Sequence, residues 1–495
     1  MHVPRPVIGK SAIATSDPIP QTRTRPRTHR IADWDPEDVP TWRAGGKKIA
    51  RRNLIWSIFV EHIGFSVWSI WSVMVLFMPP AAYHIDAPGK FFLVAMPTLV
   101  GAVLRLPYTT AVARFGGRNW TVFSALVLLV PLLLTLYFMA HPGTSYTTFM
   151  IVAAVAGFGG GNFASSMTNI NAFFPQRLKG WALGLNAGGG NIGVPVIQLV
   201  GLLVIATLGD RSPHIVCAVY LVLVGVAALG AALFMDNLDD QQSNARSLLG
   251  VLRFPDSWAI SFLYIGTFGS FIGYSFAFGQ ILQINFLAAP GTTPAGAALH
   301  AAQIAFIGPL LGSLSRPVGG WLADRIGGGK ITLYSFVAMA VSAGILVIAG
   351  TRHDAAAHGA TSGGIMLAYV VGFVALFIIS GVGNGSVYKM IPVIFAAKSV
   401  RRPDMTPVEA AAWARTMSGA LIGIAGAIGA LGGVGINLAL RASYAGQAKS
   451  ATLAFWAFLG FYLVCVALTW FVYVRPATHG RPTDQTAPET QPTHP

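Results

Sequence analysis

Lys90-Phe-Phe-Leu-Val-Ala-Met-Pro-Thr-Leu-Val-Gly-Ala-Val-Leu-Arg105-Leu-Pro-Tyr-Thr-Thr-Ala-Val-Ala113 and Ile304-Ala-Phe-Ile-Gly-Pro-Leu-Leu-Gly-Ser-Leu-Ser-Arg316-Pro-Val-Gly-Gly-Trp-Leu-Ala323 are apolar runs, each long enough to cross a bilayer, and each carries an arginine inside it. A charge at bilayer depth costs roughly 2.5–3.5 kcal/mol on insertion scales, so it is kept for function. Both arginines open the same phrase. Nine residues on, Arg114 precedes Phe-Gly-Gly-Arg118 and Arg325 precedes Ile-Gly-Gly-Gly-Lys330. The repetition predicts a duplicated membrane protein with one buried guanidinium in each half, an arrangement suited to a small anion.

Composition agrees. Of 495 residues, 54% are hydrophobic and 10% charged, against about 25% charged in a soluble domain. The net charge of +15 does not point to nucleic acid, because its placement is topological. Eleven of the 33 Lys and Arg lie in the first 52 residues, and most of the rest sit between apolar spans. Cys217 and Cys465 lie inside apolar spans and read as plain hydrophobes. Residues 1–50, rich in Pro, Arg and Thr, predict a disordered basic tail. No short apolar core with a small-residue cleavage site precedes the first span, so no cleaved leader is expected.

Twelve apolar stretches follow, at 53–79, 91–114, 119–140, 148–173, 180–207, 214–235, 258–286, 299–322, 331–350, 364–396, 412–440 and 451–474. The polar segment 236–257 is the expected central linker between a six-helix half at 51–235 and another at 258–474, and 475–495 is a second disordered tail. With both tails cytoplasmic, that side holds 25 Lys and Arg, the other side 5, and Arg105, Arg316 and Lys389 remain at membrane depth. The positive-inside rule therefore puts both termini in the cytoplasm.

Six plus six spans with matched basic turns resemble the major facilitator superfamily, and Gly320-Trp-Leu-Ala-Asp324-Arg325-Ile-Gly-Gly-Gly-Lys330 looks like its loop motif. The resemblance implies that Asp324 and Arg325 latch helix ends in one conformer. The first-half copy, Ala113-Arg114-Phe-Gly-Gly-Arg118, lacks the Asp. It also implies a substrate site near the midplane between the halves, with access alternating as one half rocks against the other.

The chemistry begins with the arginines. A guanidinium offers planar, forked donors that match an oxyanion bidentately, which a lysine does not. Two facing one cavity make a site of +2 that a small oxyanion neutralises. Span 5 (Gly180-Trp-Ala-Leu-Gly184-Leu-Asn186-Ala-Gly188-Gly-Gly190-Asn191-Ile-Gly193) and span 11 (Gly419-Ala-Leu-Ile-Gly423-Ile-Ala-Gly426-Ala-Ile-Gly429) carry small residues every three or four positions, so helix backbones approach closely. Ordinary packing explains one such stripe. Two in equivalent places suggest interfaces that also slide, with Gly188, Gly190, Gly423 and Gly426 as switch candidates. Span 4 (Gly157-Phe-Gly-Gly-Gly-Asn162-Phe163-Ala-Ser-Ser166) and span 10 (Gly383-Asn-Gly-Ser386-Val-Tyr388-Lys389) form another matched pair.

These motifs, with Leu263-Tyr264-Ile-Gly-Thr-Phe268-Gly-Ser, resemble the nitrate/nitrite porter family of that superfamily over about residues 32–474. The resemblance implies that Arg105 and Arg316 clamp nitrate or nitrite, that Asn191 and Tyr264 add hydrogen bonds, and that Phe163 and Phe268 wall the anion. Ser386 joins the expected substrate set from span 10. No metal site or other cofactor is expected.

Glu61 is the acidic residue placed at membrane depth and Lys389 the lysine. At 1.5 Å per residue they lie roughly 12 Å and 9 Å from the cytoplasmic end, so they share a level. Glu61 and Lys389 are thus candidates for proton coupling, with a static ion pair as the alternative. The expectation is a secondary transporter in a bacterial inner membrane, with nitrate, nitrite, protons and the lipid bilayer as partners. Nitrate:proton symport is preferred over nitrate/nitrite antiport, and a non-transporting anion sensor or membrane anchor ranks lower. No metal cluster, nucleophile–base pair or phosphate loop suggests an enzyme. Gly188-Gly-Gly-Asn-Ile-Gly193 lies within an apolar helix with no preceding strand, so it is not a dinucleotide turn.

Overall fold

Twelve membrane-length spans, with one bent helix pair taken as a single span, account for most of the described residues in the computed structural model, which describes residues 29–209, 212–239, 245–356 and 362–475. In chain order they are α1 (Val39–Trp68 with Ile70–Phe77), α2 (Ala87–Phe115), α3 (Gly117–Met139), α4 (Tyr146–Phe173), α5 (Gln176–Leu208), α6 (Pro213–Phe234), α7 (Pro255–Leu287), α8 (Pro294–Ile326), α9 (Gly328–Ala355), α10 (Gly363–Ser399), α11 (Pro407–Ala445) and α12 (Thr452–Val474). The fold is all-α. Two short strands, β1 (Arg30–Ile31) and β2 (Asn237–Leu238), pair in parallel at one end.

Local chemistry sets the bends. α1 breaks at Ser69 by 43°. There the hydroxyls of Ser66, Ser69 and Ser72 donate to the carbonyls of His62, Phe65 and Ser69 at 3.0, 2.9 and 2.7 Å. Hydroxyls that bond back to the preceding turn loosen and bend a helix. In α7 the residues Ile265–Gly269 form one wide π turn directly after Tyr264, a feature often found at functional sites.

The halves meet through α2 against α11 and through α5 against α8. These pairs are equivalent under a shift of six helices. Each arginine-bearing helix therefore lies against the glycine-rich helix of the opposite half. At the end of the bundle holding the start of α2, the halves are tied together. Gln280 Nε2 donates to the Ala87 carbonyl at 3.0 Å, Gln283 Nε2 to Leu76 at 3.2 Å and Gln198 Nε2 to Ser275 at 2.8 Å. Phe91 stacks on Tyr444 with centroids 5.1 Å apart. Toward the opposite, basic end, Gly180, Gly184, Gly188 and Gly419 each face open space.

Two boundary expectations need correction. The structureless tail expected through residue 50 gives way by residue 29, where a strap runs across the basic end. β1 pairs with β2, Trp34 packs on Phe173 and Trp42 on Phe174 at 5.6 and 5.9 Å, and Glu37 Oε1 accepts from Gln176 N at 2.7 Å. Arg52 and Asn53 both donate to the buried Asp236 carboxylate. Isolated aromatic anchors hold this segment, and they leave no apolar run for a sequence reading to find. The 236–257 linker likewise contains β2 and the short helix Ala245–Val251, and α7 begins at Pro255. Residues 1–28 of the expected N-terminal tail, 240–244 of the linker and 476–495 of the C-terminal tail lie outside the described residues.

Candidate functional site

Arg105 and Arg316 are both buried, 0% and 7% exposed. In each helix a proline follows closely, Pro107 and Pro317, and withholds one backbone N–H from the turn beside the arginine. Arg105 Nε donates to the Gly160 carbonyl of α4 at 3.2 Å, and Nη1 donates to the Gly426 carbonyl of α11 at 2.5 Å. Its guanidinium lies 4.8 Å from the Phe163 ring, 5.0 Å from Phe268 and 5.3 Å from Trp68. Arg316 Nη2 donates to the Tyr264 hydroxyl at 3.3 Å, and its guanidinium sits 5.0 Å from the Tyr388 ring.

One nitrogen of each arginine remains buried and unpartnered among the described residues, Arg105 Nη2 and Arg316 Nη1. Leaving a buried charged donor unsatisfied is costly, so two such donors in one enclosure mark a place for an acceptor. The enclosure is aromatic: Phe163 stacks with Phe268 at 6.3 Å, Tyr264 with Phe268 at 5.2 Å, and Tyr264 meets Tyr388 at 4.9 Å. Tyr264 and Phe268 are four residues apart, so helical spacing puts the two rings of α7 on one face.

The glycine stripe of α11 seats this group. A β-carbon on Gly426 would lie 3.4 Å from Arg105 Nη1, 3.6 Å from Phe163 and 3.8 Å from the Tyr388 hydroxyl. Gly423 lies over Thr109, while Gly190 on α5 faces Glu61 and Gly188 faces open space. Alanine at 426 fits with slight adjustment, but branched side chains crowd the arginine. Gly426→Val is expected to raise the KM for substrate by about tenfold, in line with a cost of roughly 1–3 kcal/mol for overpacking, while Gly426→Ala stays near wild type. Initial-rate transport in proteoliposomes checks this, and equal KM values for the two variants would contradict it.

Glu61 is fully buried on α1. Its Oε2 accepts from Ser166 Oγ at 2.5 Å and from Asn186 Nδ2 at 2.6 Å, while Oε1 has no partner among the described residues. It makes no ion pair there, yet lies within electrostatic reach of both arginines.

The expected set divides. Arg105, Arg316, Tyr264, Phe163 and Phe268 converge, and Asn191 is buried with its side-chain oxygen unpartnered among the described residues. Ser386 does not join them. It hydrogen-bonds Thr332 of α9 at 2.8 Å and the Gly383 carbonyl at 2.9 Å, so it joins neighbouring helices. Lys389 does not pair with Glu61 and is not buried. Its ammonium reaches Asp324 at 2.8 Å with the side chain 45% exposed, because its long stem carries the charge outward to the carboxylate at the end of α8. Asp324 thus ties α8 to α10, and Arg325 stacks 4.0 Å from Trp321. Sequence reasoning missed Trp68 and Tyr388 as arginine neighbours, and Ser166 and Asn186 as the partners of Glu61. Tyr388 adjoins Lys389, and the polar residues stand in the motifs of spans 4 and 5, but nothing in the spacing says which face they occupy.

Residues 57–402 match the family model described as Major Facilitator Superfamily. Nitrate/nitrite transporter NarU of Salmonella typhimurium is 36% identical over 469 residues, covering 90% of this chain and 96% of that protein. The chain belongs to the nitrate/nitrite porters of the major facilitator superfamily. Members of this family are transporters, not enzymes. The protein named "Probable nitrate/nitrite antiporter NarK2" of Thermus thermophilus is 32% identical, with coverage of 90% and 96%. Among solved structures, nucleoside transporter NupG superposes with a TM-score of 0.55 at 16% identity, covering 85% of this chain and 99% of that one, a likeness of fold alone.

Proposed function

We propose that this porter carries nitrate and nitrite by alternating access in the bacterial inner membrane, with both termini in the cytoplasm, and that it takes up nitrate by symport with protons. The observation that carries the substrate is the pair of buried guanidinium groups, on equivalent helices of the two halves, each with one unpartnered nitrogen inside an aromatic enclosure. A small planar oxyanion accepts from both, and the rings exclude larger or more strongly hydrated ions. The names of the relatives favour the same substrates. The imbalance of 25 Lys and Arg against 5 favours the orientation. On that reading the tied end is external, and the protein rests closed to the outside.

Symport is favoured by Glu61, a buried carboxyl with one oxygen free of partners and no basic residue in contact among the described residues. The static Glu61–Lys389 pair that would have explained it structurally is replaced by Lys389–Asp324. Exchange of nitrate for nitrite is the second reading, since a fixed positive site resists turning over empty and one relative is named as a probable antiporter. Proteoliposomes separate the two. Symport predicts nitrate accumulation driven by an inward proton gradient with no anion inside. Exchange predicts uptake only into vesicles loaded with nitrite, whatever the gradient.

A further inference from the structure

Lys90 stands outside the site described above and has no role in it. It lies one turn into α2, 5% exposed, at the tied end of the bundle. Among the described residues it takes part in no ion pair, although Asp86 is only four positions earlier. That carboxylate is turned to cap the helix and accepts from Gly89 N at 2.8 Å. The stem of Lys90 is buried while its ammonium opens onto a cavity with no carboxylate beside it among the described residues.

Lys90 lines a cavity of about 70 Å³, partly open to the surface, whose wall includes Leu76, Pro79, Gln280, Gln283 and Ile284. One water needs roughly 10–15 Å³ of such space, so a small ion with some of its hydration fits. The lining joins the halves, with Lys90 on α2 and the two glutamines on α7. Each glutamine amide spends one N–H on a carbonyl of the opposite half, Ala87 for Gln280 and Leu76 for Gln283, and keeps a second. Gln280 Oε1, unpartnered among the described residues, can take a hydrogen from a water carried in with the ion. One cation and spare amide donors, with no carboxylate in the lining, select for an anion.

We propose that Lys90, with the amides of Gln280 and Gln283, forms a second oxyanion site in the outer vestibule, where nitrate or nitrite is held before the outer gate opens and after it closes. The site sits on the hydrogen bonds that close that gate, so an anion there neutralises Lys90 at the contact between the halves. This inference rests on the proposed transport of nitrate and nitrite by the central arginine pair.

The test is nitrate transport by the full-length protein in vesicles of defined sidedness. Lys90→Met is expected to raise the KM for nitrate offered at the outer face by about tenfold, to leave the KM at the inner face unchanged, and to preserve thermal stability. Lys90→Arg should stay within about twofold of wild type at both faces, which keeps the test informative if the methionine variant folds poorly. Equal KM shifts at the two faces, an unchanged outer KM in the methionine variant, or a lowered maximal rate with unchanged KM would each overturn the vestibule site while leaving the central reading intact. A wild-type protein that moves neither anion under any gradient would instead sink the central reading, and the vestibule site with it.

Discussion

Arg105→Lys is expected to lower kcat/KM for nitrate by about 100-fold while leaving the folded protein at near-normal stability. Lysine keeps the charge, so a site that needed only a positive potential would tolerate it. Arg105 does three separate things with its fork. Nε holds the Gly160 carbonyl in its own half, Nη1 holds the Gly426 carbonyl in the other half, and Nη2, without a partner among the described residues, is the donor that the proposed function gives to the anion. An ammonium carries its donors at one point. If it reaches Gly426 it abandons the ligand, and if it meets the ligand it abandons the link between the halves. A hydrogen bond to a charged group contributes roughly 1.5–3 kcal/mol, which at 1.4 kcal/mol per factor of ten is between about tenfold and 150-fold. The upper end applies because the lost bond also spans the moving interface. Arg316→Lys should fall by a comparable amount, with Tyr264 losing its donor. Initial nitrate uptake, with thermal unfolding measured on the same preparations, decides the matter. Retention of activity within threefold in Arg105→Lys would mean that bulk charge, not directional donors, selects the anion.

The arginines show which parts of this protein a sequence displays. A charge in an apolar run stands out because the bilayer penalises it, and duplication with a common spacing distinguishes purpose from accident. The twelve spans and the equivalence of the two halves follow from patterns of that kind, whereas the pairing of each arginine helix with the glycine helix of the opposite half is seen only in the structure. Ser386 and Lys389 were misplaced because facing depends on helix rotation and side-chain reach. Ser386 turns toward Thr332, and Lys389 extends far enough to meet Asp324. The strap at residues 29–38 and the first turns of α1 escaped notice for a different reason: they are held by a few aromatic contacts and two strand residues, too sparse to form a period. Trp68 likewise meets Arg105 at 5.3 Å with its indole N–H on the Pro97 carbonyl, a facing that a hydropathy pattern does not record.

On the proposed symport, Glu61→Gln should turn the porter into an obligate exchanger. The charges explain why. With Glu61 ionised, the empty site carries two guanidinium charges and one carboxylate, a net +1, and the carrier can reorient unloaded. Entry of one proton and one nitrate leaves that sum unchanged. A proton alone raises it to +2, and an anion alone leaves a carboxylate and an anion competing for the same guanidinium groups, so the two ligands favour each other's binding. Such mutual dependence is the thermodynamic content of coupling. Glutamine keeps the shape and accepts through its oxygen the hydrogen bonds that Ser166 and Asn186 now give to Oε2, but it never ionises. The empty site is then held at +2 and resists reorienting, whereas the anion-loaded site is +1 and moves. Net nitrate uptake driven by a proton gradient should fall by at least about 100-fold, and exchange of external nitrate for internal nitrate or nitrite should persist within a few-fold of wild type. Both are read in the same vesicles, with and without internal anion. Gradient-driven net uptake surviving in Glu61→Gln would remove Glu61 from the coupling path. Loss of exchange along with uptake would make its bonds to Ser166 and Asn186 a structural tie between α1, α4 and α5.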